Sequence, residues 1–256
     1  MLKGMVSLVT GGASGLGKAT VDRLIKNGGK VVILDIQATR AQEVAKKLGD
    51  NVIVSAGCIT KEEDVKKTLD IVKEKFGRLD LLVNCAGHTE THQVYNFYKD
   101  KECDLDGFVK CVNVNTIGTF NVIRLAAGLI GKNKPNEDGQ RGVIINTAAT
   151  IAYEGDIGQA PYAASTAAVI GMTLPIARDL ASQGIRVMTI APGIFETPLI
   201  SYIPEKVIDY LKRICPFPTR FGRPEEFAHL VTSIVENPML NGEVIRLDGA
   251  QRWFPL

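Results

Sequence analysis

Between Thr10 and Gly17 the chain reads TGGASGLG, in which three of the four glycines stand at a spacing that suits one chemical task. Gly11 permits a tight turn, while Gly15 and Gly17 let backbone approach a pyrophosphate at the positive end of the helix that follows. Ser14 and Leu16 belong to the same loop. The next apolar run, KVVILD, closes on Asp35. A carboxylate there accepts hydrogen bonds from the ribose hydroxyls of an adenosine and repels a 2′-phosphate. Neither Ser14 nor Ile36 adds positive charge to hold such a phosphate, so NAD is expected in preference to NADP. The alternative is an acid that merely ends a strand.

A second group of residues spans Asn146 to Met172, NTAATIAYEGDIGQAPYAASTAAVIGM, and centres on Tyr162. A phenol can carry a proton, but its ordinary pKa near 10 leaves only about a thousandth of it ionised at pH 7. A reacting tyrosine therefore wants a cation close by, and no lysine lies within reach on the helix expected here. The five cysteines, Cys58, Cys85, Cys103, Cys111 and Cys215, are an odd number without a CxxC pair. His88, His92 and His229 have no cysteine or carboxylate at ligand spacing. Reduced thiols and no metal site are expected.

These residues need a frame. Short β-branched runs, VSLVT, KVVILD, NVIVS, LDLLVN, GVIINT, IRVMTI and EVIRLDG, alternate with long helical patterns. That alternation predicts right-handed βαβ crossovers: a Rossmann-like, doubly wound α/β fold whose parallel sheet carries helices on both faces. Gly17, Val21, Leu24, Ile25 and Gly28 share one helical stripe, and Gly28-Gly29 marks its end. With 256 residues, one domain covering 1–256 is expected. Segments 88–104, 131–142 and 193–224 are the least regular, and the last lies where a substrate lid would.

Composition excludes several classes. A net charge of +2 gives no long-range field for nucleic acid or an anionic membrane. Lys66-Lys67 and Lys73/Lys75 read as solvated helix faces. No apolar run approaches the 18 or so residues of a bilayer span, and the first strand begins too near Met1 for a cleavable presequence.

The glycine loop, NCAG at 84–87, Tyr162 at the start of a YxxxK-like frame and APG at 191–193 together resemble the short-chain dehydrogenase/reductase family along nearly the whole chain. GTFNVIRL, GMTLPIARDL and NGEVIRLDGA narrow the likeness to a branch acting on 3-hydroxyacyl-CoA thioesters and some hydroxysteroids. The resemblance implies a mitochondrial homotetramer using NAD, with the cytoplasm as the alternative compartment. It also implies a non-redox role as a scaffold with a tRNA methyltransferase partner, and an acyl-CoA or steroid-like ligand. It places Asn84, Ala86, Gly87, Pro192, Gly193 and Thr197 beside the cofactor, along with Tyr162, and sets Cys58 where the family has an aspartate next to the adenine. Asn115 matches the family's asparagine, which holds a water in a proton relay, and Tyr162 its general acid/base. The serine and lysine positions are Ala149 and Thr166.

The substitutions have physical consequences. A lysine one turn after the tyrosine lowers the phenol pKa and grips the nicotinamide ribose, which Thr166 cannot do electrostatically. Ala149 removes a hydroxyl that would polarise the substrate oxygen, a loss of about a hundredfold or more. Thr147 lies about 6.6 Å from the required position on a continuing strand. Thr150 would point the opposite way, and can stand in only if the strand has already turned. Three readings follow: a catalytically impaired NAD(H)-binding homologue in which Tyr162 packs and binds, an active oxidoreductase with altered groups, and a scaffold subunit.

Overall fold

A computed structural model of the chain describes residues 2–200 and 205–252. Seven parallel strands form one sheet in the order β3-β2-β1-β4-β7-β8-β9. They are β1 (Val6–Thr10), β2 (Lys30–Asp35), β3 (Val52–Ala56), β4 (Leu81–Asn84), β7 (Gly142–Thr147), β8 (Ile185–Pro192) and β9 (Val244–Leu247). The order reverses at β1. The chain runs outward through β2 and β3, then returns to lay β4 on the other side of β1, which opens a crevice at the strand ends.

The strands read as continuous apolar runs because both faces are covered. Side chains alternate: Val9, Val31 and Ile33 enter one core, Leu8, Val32 and Leu34 the other. On the first face pack helices α1 (Gly15–Lys26), α2 (Ala38–Leu48) and, near the C-terminus, α9 (Pro224–Glu236). Leu24 of α1 and Phe227, Val231 and Ile234 of α9 share that core. Phe227 is fully buried, and burying such a side chain contributes about 1.5–3 kcal/mol. On the second face lie α3 (Glu62–Phe76), α4 (Leu105–Val112), α5 (Thr119–Ile130) and α7 (Ala160–Ala181). Val65, Leu69, Val122, Ile123 and Ile176 fill that side.

The strand boundaries follow the apolar runs to within a residue or two. Other expectations need correction. Gly28 does not belong to the buried stripe of α1; it is exposed with φ +81°, beyond the helix end, while Gly17, Val21 and Leu24 are buried. Segment 88–104 is not wholly irregular: β5 (Tyr95–Asn96) and β6 (Lys101–Glu102) pair antiparallel. Between α4 and α5 the helix widens to a π-helical stretch, Asn113–Gly118, that propensity does not reveal.

The 22-residue helix α7 is long and apolar enough to cross a membrane by length and composition. It is instead a helix of the fold, with Thr166, Val169, Thr173 and Ile176 buried. Thr173 Oγ1 lies 2.6 Å from Thr189 Oγ1 of β8. Less than half of its most apolar window is buried in the single chain.

The lid segment carries a 3-10 turn, Pro198–Ile200, and α8 (Glu205–Arg213). Its base is pinned by Glu226, which accepts from Arg220 Nη2 at 2.7 Å and from the Arg223 amide at 2.7 Å. The Arg220 guanidinium, then the Arg223 amide, hold the Glu226 carboxyl down at about 2, against 4.5 ordinarily. A depressed carboxylate stabilises fully above its unfolded pKa and stops doing so as pH falls through the folded one. The advantage of the native chain over Glu226→Gln is therefore expected in full above pH 4.5 and absent by about pH 2. Urea unfolding of both proteins across that range checks it, and a difference that persists at pH 2 would contradict the assignment.

Candidate active site

The cleft forms where β1, β4, β7 and β8 end. After β1 the chain turns at Gly11, φ +67°, where a Cβ would sit 2.7 Å from the Ala86 amide nitrogen. Thr10 Oγ1 accepts from the amides of Cys85 and Ala86, both at 3.2 Å, and so ties the end of β1 to the NCAG turn. Gly17 lies against the Gly11 carbonyl, with 2.2 Å left for any Cβ. Ser14 is the N-cap of α1, in extended conformation, and its hydroxyl makes no capping bond. No acidic residue stands in the first turn of α1. The arrangement presents unneutralised helix N–H groups behind a loop with no side chains to keep a pyrophosphate away.

Asp35 is 6% exposed at the end of β2. Its carboxylate accepts from the Ala13 amide at 2.9 Å and the Gln37 amide at 2.8 Å, which aims it at the glycine loop. It is a built corner of the site as well as a strand end. Cys58 follows on the β3 side: its amide donates to Asp64 Oδ2 at 2.8 Å and its sulfur lies 3.0 Å from Thr60 Oγ1. Neither group offers the carboxylate acceptor that an adenine amino group would meet at an aspartate.

Tyr162 is half-buried in the first turn of α7. Its carbonyl accepts from Ser165 Oγ and from Thr166 Oγ1, both at 2.9 Å. The Thr166 hydroxyl also approaches the Ala163 carbonyl at 3.3 Å. Thr166 is 3% exposed and spends its one donor on its own helix.

Asn115 sits in the π-helical stretch, 5% exposed. Its amide clamps His88 from both sides, accepting from the His88 amide at 2.8 Å and donating to the His88 carbonyl at 2.8 Å. The same Nδ2 donates to Ser165 Oγ at 2.9 Å. The side chain thus fastens the irregular segment after NCAG to the first turn of α7, which bears Tyr162.

Beyond β7 the two threonines differ. Thr147 ends the strand, and its hydroxyl donates to Cys85 Sγ at 3.7 Å. Burial pushes the Cys85 thiol up to about 12, so it remains a neutral partner. Thr150 is in helical conformation, φ −64° and ψ −24°, as the N-cap of α6 (Ile151–Glu154). The strand has turned before Thr150, which meets the condition for it to replace a hydroxyl at Ala149. Thr150 and Ala149 are both buried.

Asn84 is 3% exposed, and its Nδ2 donates to Asn146 Oδ1 at 3.0 Å, pinning β4 to β7. Pro192 ends β8, and the Gly193 amide donates to the Leu247 carbonyl at 2.9 Å. Thr197 approaches from the lid: a Cβ at Gly15 would meet its side chain at 3.3 Å. Thr197 also lines a cleft of about 480 Å³ with Glu196, Ile200, Ile208, Lys212 and Phe221.

Sequence reasoning missed one cluster. His88 and His92 do have a carboxylate: Glu90 Oε1 lies 2.8 Å from His88 Nε2, and Glu90 Oε2 3.4 Å from His92 Nε2. Lys110 adds an ammonium at 3.8 Å. The hydrogen bond from His88 is the main cause holding Glu90 below the ordinary carboxylate range. The signal was present in HTETH, since alternate residues of an extended run share a side. Among the described residues no group of three or more His, Cys, Asp or Glu side chains is placed to hold a metal ion.

A parallel sheet wound about this cleft, with Tyr162 in the turn that Asn115 fastens, agrees with the family model for short chain dehydrogenase, which matches residues 5–207. The chain belongs to the short-chain dehydrogenase/reductase family. Its sequence is 58% identical over 255 residues to the 3-hydroxyacyl-CoA dehydrogenase type-2 of Drosophila melanogaster, covering all of both chains. The crystal structure of 3-hydroxyacyl-CoA dehydrogenase type-2 from Mycobacterium avium superposes with a TM-score of 0.94 at 40% identity, covering 99% of this chain and 98% of that one. The 3-ketoacyl-(acyl-carrier-protein) reductase of Brucella melitensis, in complex with NADH, gives 0.87 at 30% identity, covering 98% and 99%.

Proposed function

We propose that this chain binds NAD(H) and resembles the 3-hydroxyacyl-CoA dehydrogenases in fold and pocket, with its hydride-transfer chemistry strongly weakened. The observation that carries the reading is the Thr166 hydroxyl, donated to the Tyr162 carbonyl at 2.9 Å where the family would set a cation. The cradle fits the dinucleotide: Cβ atoms at Gly11 and Gly17 would strike backbone, and Asp35 is aimed at the loop. When bound, the nicotinamide supplies or accepts the hydride. The chain's own part is to hold the substrate oxygen and move its proton at the Tyr162 phenol, and nothing described at Thr166 raises the phenolate fraction.

Exposed apolar side chains on α4, α5 and α7, among them Leu105, Val109, Phe120 and Leu174, support assembly into a homotetramer. The test is direct. The purified native protein is expected to run as four chains by light scattering, to bind NADH in calorimetric titration, and to reduce acetoacetyl-CoA at least about a hundredfold below an ordinary turnover of roughly 10 per second. Ordinary turnover sinks the reading.

One observation favours a second reading, an active oxidoreductase: Thr150 has turned into helical conformation next to Ala149. In that case Tyr162→Phe and Thr150→Val each abolish whatever rate the native protein shows.

Cys58 makes its own prediction. Restoring an acceptor with Cys58→Asp is expected to tighten NADH binding by about three- to tenfold, the worth of one hydrogen bond to a charged group partly exposed to water. Unchanged affinity by titration would mean that the adenine does not sit against Cys58.

A further inference from the structure

Segment 88–92 crosses from NCAG to the turn before Tyr162, and hydrogen bonds to its main chain fasten it at both ends. The Asn115 amide holds the backbone of His88 at one end, and the His92 amide donates to the Gly158 carbonyl at 2.9 Å at the other. Gln159 Nε2 adds a bond of 3.2 Å to Thr91 Oγ1. Gln159 is the N-cap of α7, so the segment bears directly on the turn that leads into Tyr162.

Between those ends the grip is made by side chains. Glu90 offers one carboxylate oxygen to each histidine, Oε1 to His88 at 2.8 Å and Oε2 to His92 at 3.4 Å. The group lies over Gly107 of α4, with Glu90 Cγ 3.5 Å and His92 Cδ2 3.6 Å from where a Cβ would stand. From α4, Lys110 reaches Glu90 Oε1 at 3.8 Å, and the Cys111 thiol, pushed up chiefly by burial, stays uncharged. On the turn before Tyr162, Asp156 is exposed, and its Oδ1 accepts from the Ile157 amide at 2.7 Å.

Of the group types gathered here, only an imidazole ordinarily changes charge between about pH 5 and 8. Glu90 stays ionised through that window, because the hydrogen bond from His88, above all, holds it below the ordinary carboxylate range. A neutral imidazole gives this carboxylate an ordinary hydrogen bond, and an imidazolium gives one about twice as strong. The first proton taken up gains most, since a second imidazolium shares the carboxylate with the first and with Lys110. A bond to the protonated form is present in full below the titration and is lost as pH rises through it.

We propose that segment 88–92 is a pH-sensitive strap: with an imidazolium on Glu90 it is held against α4 and the turn before Tyr162, and as pH rises from about 5 to 8 it loosens from both. The strap joins the end of the cofactor-side NCAG turn to the N-cap of α7, so its loosening frees one wall beside Tyr162.

The test is hydrogen exchange of the full chain, read by mass spectrometry at about pH 5.5 and pH 8 and corrected for the intrinsic exchange rates. Amides of segment 88–95 are expected to open about threefold or more often at the higher pH, a small ratio because the groups are partly in water. Those of β1 and β7 are expected to keep the same protection at both. Glu90→Gln retains a hydrogen-bonding side chain of the same shape without the charge, and its segment is expected to open equally at the two pH values. The double variant His88→Gln, His92→Gln is expected to behave alike, and serves if the first variant does not fold. Native exchange that is flat with pH, or a dependence that survives in either variant, overturns the proposal. No cofactor or substrate enters the experiment, so its result is independent of the dinucleotide reading.

Discussion

The double variant Ala149→Ser, Thr166→Lys is expected to reduce acetoacetyl-CoA with NADH about a thousandfold or more faster than the native chain. Two terms compose the estimate. A cation one turn from a tyrosine lowers its pKa by about one to three units, and each unit is tenfold in phenolate at neutral pH. A hydroxyl restored beside the substrate oxygen is worth about a hundredfold. The terms do not simply multiply, since groups of one catalytic unit fail together. The single variants divide the effect. If Thr166→Lys alone recovers most of the rate and Ala149→Ser adds nothing, the turned Thr150 is already supplying the missing donor. A double variant that still binds NADH yet stays silent would falsify the view that these two positions account for the loss.

Gly17→Ala is expected to cost more than any surface change in the cofactor loop. A Cβ there falls 2.2 Å from the Gly11 carbonyl oxygen and 2.8 Å from its carbon. Backbone cannot rotate away as a side chain can, and Gly11 is itself fixed, with its amide on the Leu34 carbonyl at 2.9 Å. Helix α1 must therefore back off from the loop. Overpacking of this kind costs about 1–3 kcal/mol, a fall of several degrees in melting temperature for a chain this size. The displaced amides should lower NADH affinity by more than about tenfold. Gly128→Ala is the control: it is helical, with nothing within 4 Å of the added carbon, and is expected to stabilise slightly. Native-like NADH binding by Gly17→Ala would show that the helix end does not hold the pyrophosphate.

The fold was legible because its strands are buried on both faces, so each apolar run stands clear of the polar helices beside it. Val6–Thr10, Lys30–Asp35 and Gly142–Thr147 fall where their β-branched runs do. What sequence could not show was direction. The reading of Thr150 assumed an extended chain, and whether a strand stops at Thr147 or runs on depends on tertiary contacts such as the Thr150 amide on the Pro192 carbonyl at 3.0 Å. Nor did residue type reveal that Thr147 serves Cys85, that Asn115 closes on His88, or that Glu90 gathers two histidines. These are meetings between segments far apart along the chain or across an extended loop.

The inward bond of Thr166 has an evolutionary side. A lysine at that position would have to be fed by selection for its chemistry, because the helix closes perfectly well around a threonine that satisfies itself. On the reading proposed above, selection for folding alone does not hold a lysine there. In such a lineage the reaction can fade while the protein persists in full abundance, still recognisable to whatever binds its surface.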